Sequence, residues 1–310
     1  MIVTRALLLA AVVFVVLATS ARAETLVFAA LGDMPYTLPD DDARYEAVIA
    51  ALNRRAPAFT IHVGDTQSSR TPCTDEMQDK AARQFALYVH PVVYTPGDNE
   101  WTDCHIHDAP WNDPQERLAN LRKRFFSTPE SLGQRRLPLA RQNAAYPENA
   151  RWEAGGIVFA TVHVVGSNNN LQRDAATLAE YSARNQANLL WIEAAFERAR
   201  ASGAAAVVLA MQADTFFEKH PYERTGFNDT IAAIQSQAQR WTKPILIIQG
   251  DTHRYRVDQP LYDWATRARY PHVTRLIVPG AETVHAVLIE ANPADATAPF
   301  AFRLVVPGAN

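Results

Sequence analysis

The chain of 310 residues is 48% hydrophobic and 20% charged, with 12 Gly and 19 Pro, which excludes a disordered or low-complexity polypeptide and suffices for a sizeable core. Its formal net charge of −3 excludes the basic excess of a general nucleic-acid binder.

At the N-terminus, Ala6 to Ala18 form an uncharged run of 13 residues, preceded by Arg5 and followed by Ala21-Arg22-Ala23. This pattern predicts a secretory signal peptide over 1–23, cleaved after Ala23, and therefore an exported protein, periplasmic or secreted. Read instead as a membrane anchor, the run is shorter than the roughly 20 apolar residues that span a bilayer. No later segment is long enough, so no membrane span is expected after cleavage. The mature chain keeps 28 basic and 33 acidic residues. No Gly/Ser linker, charge block or repeat divides it, which predicts a single domain over 24–310.

Short apolar, β-branched runs recur at 25–31, 59–63, 91–95, 156–165, 204–211, 244–249, 273–278, 286–290 and 300–306, and are expected to be strands, most of them buried. Helical periodicity occupies 41–55, 75–88, 114–126 and about 175–201, the last ending just before Gly203. Alternation of strand and helix predicts βαβ units with a largely parallel sheet, and the closely spaced strands after Lys243 predict a mixed or antiparallel second sheet. The amphipathic run from Leu178 to Ala201 is expected to pack on a sheet.

Four of the strands share an ending. Chance pairing of the glycines and aspartates gives about 0.7 Gly-Asp dipeptides, yet the chain has Gly32-Asp33, Gly64-Asp65, Gly97-Asp98 and Gly250-Asp251, each directly after an apolar run. Glycine lets the chain turn, and the aspartate then stands at the carboxyl edge of the sheet, where open α/β sheets bind ligands. Four convergent carboxylates repel unless protonated or neutralised by cations, and two divalent metals balance them.

In that order and spacing, ALGDMPY, HVGDTQ, TPGDNEW and QGDTHRY, with VVLAMQAD before the last, resemble the motifs of the calcineurin-like metallophosphoesterases, which include purple acid phosphatases. The resemblance spans about Leu26 to Tyr255. It implies an α/β fold, a double β-sandwich flanked by helices in four layers, α/β/β/α. It also implies one or two divalent metal ions (Mn, Mg, Fe, Zn or Ca) and hydrolysis of phosphate mono- or diesters by a metal-bound hydroxide.

Position by position, the resemblance makes Asp33 a ligand of one metal, Asp65 a bridge between two, and Asp98 a ligand. It places Asn99 where the family has a substrate-contacting His, Gln212 where a His ligand stands, Asp251 at a ligand of the second metal and His253 at a ligand of the first. The family His after the first motif is replaced by Pro35, and Tyr36 is the candidate substitute. Exchanging imidazoles for Asp98, Asp251 and Gln212 makes the second position almost all oxygen, which suits hard cations better than zinc.

Around these motifs, the two cysteines of an exported chain are expected to form one disulfide, Cys73–Cys104, tying the second and third ligand loops together. His105 is a candidate general acid, and Arg70 and Arg254 are candidate phosphate clamps. His62 is expected to be packed or to support a ligand. Asn168, in the GSNNN run after a strand, offers an amide to substrate, although turn chemistry explains that run equally well.

The expected function is therefore an exported phosphoesterase acting on a small phosphorylated substrate. The alternative is a catalytically inactive member of the fold that binds a ligand or partner, as the loss of family histidines at Pro35, Asn99, Gln212 and Asp251 would allow.

Overall fold

Twelve strands and six helices form in chain order among the described residues: β1 (Leu26–Leu31), α1 (Asp40–Arg55), β2 (Thr60–His62), α2 (Asp75–Phe85), β3 (Val92–Tyr94), α3 (Pro114–Phe125), β4 (Ala140–Arg141), β5 (Ala150–Ala154), β6 (Ile157–Thr161), the single turn α4 (Gly166–Asn169), α5 (Ala175–Ser202), β7 (Ala206–Ala210), α6 (Asn228–Arg240), β8 (Ile245–Gln249), β9 (Arg256–Asp258), β10 (Val273–Ile277), β11 (Ala286–Ala291) and β12 (Phe300–Val305). This computed structural model describes residues 25–107, 112–171, 174–216, 225–263, 265–292, 294–295 and 297–308. The expected signal peptide thus lies outside the described residues.

The helix ends follow local chemistry. Thr74 caps α2 by accepting from the Met77 N–H, and Asp113 caps α3 with Pro114 in its first turn. Asp174 and Thr177 close a capping box at the start of α5, and Gly203 ends that helix in the left-handed region.

Two sheets form. The first runs β12-β11-β1-β2-β3 and the second β4-β5-β6-β7-β8-β10-β9. Their facing surfaces share an apolar layer in which Phe28, Phe59, Trp152 and Phe159 stack or meet edge to face. On the outer side of the first sheet, Leu31 and Tyr94 pack with Val48 and Leu52 of α1, Phe85 of α2 and Leu121 of α3. Outside the second, Leu209 and Ile247 pack with Ile192 and Phe196 of α5 and Ile234 of α6. The layers are therefore α/β/β/α, as expected.

Register sets the site. β1, β2 and β3 are parallel, with Leu31 opposite His62 and His62 opposite Tyr94, so Gly32-Asp33, Gly64-Asp65 and Gly97-Asp98 leave the same edge. β7 and β8 are parallel with Ala210 opposite Ile248, which brings Gln212 and Asp251 to the corresponding edge of the second sheet. A side chain on Gly64 would strike the Gly97 backbone N at 2.3 Å, so glycine is what lets these two loops touch.

Some expectations need correction. The strands after Lys243 do not form one second sheet: β8, β9 and β10 belong to it, whereas β11 and β12 return to the first sheet beside β1. β4, β5, β9 and α6 were not anticipated. β9 is short and mostly exposed, and β5 alternates buried with partly or fully exposed residues, so neither shows a continuous apolar run. The Cys73–Cys104 disulfide forms as expected, with Cα atoms 5.7 Å apart, and links the loops after β2 and β3. None of the described helices is long and apolar enough to cross a membrane.

Candidate metal centre

Asp33, Asp65 and His253 each offer a ligand atom within 4.8 Å of the others. Asp33 leaves β1, Asp65 leaves β2 and His253 follows β8. Asp33 and Asp65 are buried, while His253 keeps about 30% of its side chain exposed. Asp33 Oδ1 accepts the Asp251 N–H at 2.8 Å, and His253 Nε2 lies 3.7 Å from the same oxygen. Two carboxylates and an imidazole suit a divalent metal of the Mn, Fe or Zn kind. The buried Asp33 Oδ2 has no hydrogen-bond donor, and an anionic oxygen in that condition is where a cation fits.

Asp65 is held differently. Its Oδ2 accepts from the Tyr36 hydroxyl at 2.7 Å, from Asn99 Nδ2 at 2.8 Å and from Gln212 Nε2 at 3.3 Å. Its Oδ1 accepts from the Asn99 N–H at 3.2 Å. Asn99 Nδ2 also reaches the Tyr36 oxygen and the Gln67 carbonyl, so its amide is committed on three sides. Tyr36 thus serves the site by donating to Asp65, and its ring meets His253 edge to face at 5.0 Å.

Asp98 and Asp251 meet around Gly166. Asp98 Oδ2 and Asp251 Oδ1 both reach into the space that a Cβ on Gly166 would occupy, so the two carboxylates converge where only glycine leaves room. Asp98 Oδ1 is buried without a donor. Gln212 Oε1 accepts the Gly166 N–H at 2.5 Å, which turns the Gln212 nitrogen toward Asp65.

Charge crowding is visible in the acidities. Burial raises the pKa of Asp33, Asp65 and Asp98 well above the carboxylate range, and neighbouring carboxylates raise each further: Asp251 acts on Asp33 and Asp98, and Asp98 on Asp65. Asp251, partly exposed, is raised to about 6 by desolvation and by Asp214. Desolvation lowers the pKa of His253, which favours the neutral imidazole that ligates metal.

The remaining candidates lie elsewhere. Arg70 and Arg254 are exposed, and exposed His105 turns its Nδ1 to the Thr102 carbonyl at 2.7 Å. Asn168 accepts from the Gly226 N–H, clipping two loops together. His62 is buried among Tyr45, Phe85 and Tyr94, where burial lowers its pKa to about 3, and its Nδ1 accepts the Gly64 N–H at 3.2 Å, at the start of the turn that carries Asp65. Sequence reading passed over three supports. Glu100 accepts from the Thr66 and Gly97 N–H groups and the Tyr94 hydroxyl, clamping the loops that carry Asp65 and Asp98. Asp214, two residues past Gln212, is paired with buried Arg275. Buried Arg184 of α5 binds the His163 and Asn169 carbonyls and anchors the α4 turn. A charge on the apolar face of a predicted helix was the available signal for Arg184.

The chain is similar to a number of solved structures, three of which bear on the site. A dimetal phosphatase from Danio rerio aligns over 91% of this chain and 99% of its own, with a TM-score of 0.52 and 10% identity. A purple acid phosphatase from yellow lupin (Lupinus luteus) seeds aligns over 91% and 54%, with a TM-score of 0.54 and 12% identity. GAP50, described as the anchor in the inner membrane complex of Plasmodium, aligns over 92% and 85%, with a TM-score of 0.55 and 9% identity. No protein-family model matches the chain, and a search of curated proteins finds no match either. At these identities the likeness is one of fold.

Proposed function

From the calcineurin-like metallophosphoesterase fold that this chain has, we propose that it is an exported metal-dependent phosphoesterase acting on small phosphate mono- or diesters, with residues 24–310 as one domain. The observation that carries the reading is the convergence of Asp33, Asp65 and His253, with a donorless buried Asp33 oxygen, at the strand ends of that fold. A divalent metal held there supplies Lewis-acid polarisation of a phosphoryl oxygen and activation of water.

The chain's own residues do the rest. Asp33 and Asp65 provide the negative charge that retains the cation. Neutral His253 completes the donor set, and Tyr36 and Asn99 fix the orientation of Asp65. Asn99 has no proton to give a leaving group, because an amide is not a general acid. A steep preference for leaving groups of low pKa follows. Export is supported by the signal-like N-terminus and by the disulfide, which forms and persists in oxidising compartments.

The test is hydrolysis of p-nitrophenyl phosphate and bis(p-nitrophenyl) phosphate by the Mn²⁺-loaded full chain. Activity that chelation removes and Asp65→Asn abolishes is expected, whereas a loaded chain inactive on both esters overturns the reading. The rival is a binding protein without catalysis. It is favoured by the commitment of the Asn99 amide to Asp65, Tyr36 and Gln67, and a structural neighbour, GAP50, is described as an anchor.

A further inference from the structure

We infer that this centre holds one divalent cation per chain, at Asp33, Asp65 and His253, and that the Gln212 amide takes the place of a second. The inference rests on the metal-dependent reading above and decides between the one and two metals that the resemblance allows.

Gln212 stands where the negative groups converge. Its Nε2 donates to Asp65 Oδ2 at 3.3 Å. Its orientation is enforced from behind, because Oε1 accepts the Gly166 N–H at 2.5 Å. Turning the amide over to offer Oε1 to a metal would set an oxygen lone pair against Asp65 and an N–H₂ against the Gly166 N–H. Both contacts would change from attraction to repulsion. Asp98 Oδ2 and Asp251 Oδ1 fill the space that a Cβ on Gly166 would take, so this N–H sits hard against the acidic cluster.

Asp65 gives the second argument. A bridge between two metals needs lone pairs free for both, but Oδ2 already takes hydrogens from Tyr36, Asn99 and Gln212. Its Oδ1 accepts from the Asn99 N–H. The donors are neutral and come from three different loops, so together they partly compensate the carboxylate without a second cation. Asp33 Oδ2 has no such substitute, being buried and donorless. Asp98 Oδ1 is donorless as well, but beside it Gln212 presents its nitrogen rather than an oxygen and Asp65 Oδ2 is already occupied, so a cation there would lack two of the ligands that the two-metal arrangement requires.

Isothermal titration of the chelated full chain with Mn²⁺, checked by elemental analysis after dialysis, measures the count. One equivalent is expected for wild type. Gln212→Glu keeps the shape but exchanges the donor for a fourth crowded negative charge beside Asp65, Asp98 and Asp251, and two equivalents are expected. Two equivalents in wild type overturn the inference while leaving the metal-dependent reading intact. One equivalent in a folded Gln212→Glu variant also overturns it, because the amide is then not what excludes the second ion. No binding by wild type overturns the metal-dependent reading and this inference with it. Should the variant fail to fold, the wild-type count alone decides.

Discussion

Two buried polar clusters share the segment 163–170 and are built to opposite charge rules. In the first, Glu148 accepts from Arg122 and from His163 Nδ1, and Arg184 pairs with Glu180 while its guanidinium lies 5.2 Å over the Trp101 ring. Every charge there has an opposite partner. In the second, Asp33, Asp65, Asp98 and Asp251 crowd together, and the buried cation nearby, Arg275, is spent on Asp214 and Asp258. A paired buried cluster holds the fold in place; an unpaired one costs stability, and persists where a ligand supplies the missing charge.

The largest effect should come from breaking the balanced cluster. Arg184→Met removes the charge partner of Glu180, which among the described residues keeps only the Asn170 amide, and takes one donor each from the carbonyls of His163 and Asn169. It should lower stability by about 3–5 kcal/mol in urea unfolding. A loss under 1 kcal/mol would show that the pairing is not needed.

Acid should separate the clusters by sign. Glu148 is held at about 2 against an ordinary 4.5, its burial cost outweighed by His163 and Arg122. Its contribution is therefore complete above pH 4.5 and fades as pH falls toward 2, on the order of 3 kcal/mol in all. His163, whose pKa burial lowers, adds to the same trend below its ordinary 6.5. For Asp251 the direction reverses: its folded pKa near 6 lies above 3.8, so its contribution to the metal-free chain is full below pH 3.8 and lost as pH rises through 6. Urea midpoints measured in EDTA from pH 3 to 7 should fall at both ends, and Glu148→Gln should flatten only the acid side.

The smallest effect is the most diagnostic. Asp33→Asn keeps an oxygen for the Asp251 N–H and removes one crowded charge, so the chelated variant should be more stable than chelated wild type by about 1–2 kcal/mol. Added Mn²⁺ should raise the melting temperature of wild type and leave the variant unmoved. A chelated variant less stable than wild type would place the balance elsewhere.

Much of the unbalanced cluster was readable in the chain, because a glycine and an aspartate after an apolar run mark a strand end without help from distant residues. The balanced cluster was not. Arg184, Glu148 and His163 come from a helix, a loop and a strand exit, and only tertiary contact makes a set of them. Similarly, Gln212 was identified by position, but its orientation depends on the Gly166 N–H, 46 residues away in sequence. Strands with one exposed face, such as β5, lacked the continuous apolar run by which β6, β7 and β8 were found.

The backbone at the strand ends also governs how this centre can be altered. Asp33, Asp65, Asp251 and His253 all lie in the left-handed region, with φ of 57°, 56°, 70° and 58°. Asparagine and aspartate enter that region more readily than other residues that carry a Cβ. An alanine scan would therefore mix a conformational penalty of roughly 1 kcal/mol per position into every apparent loss of function. Asparagine and glycine are the interpretable replacements, and a library restricted to them would isolate the chemistry of each side chain from the shape of its turn.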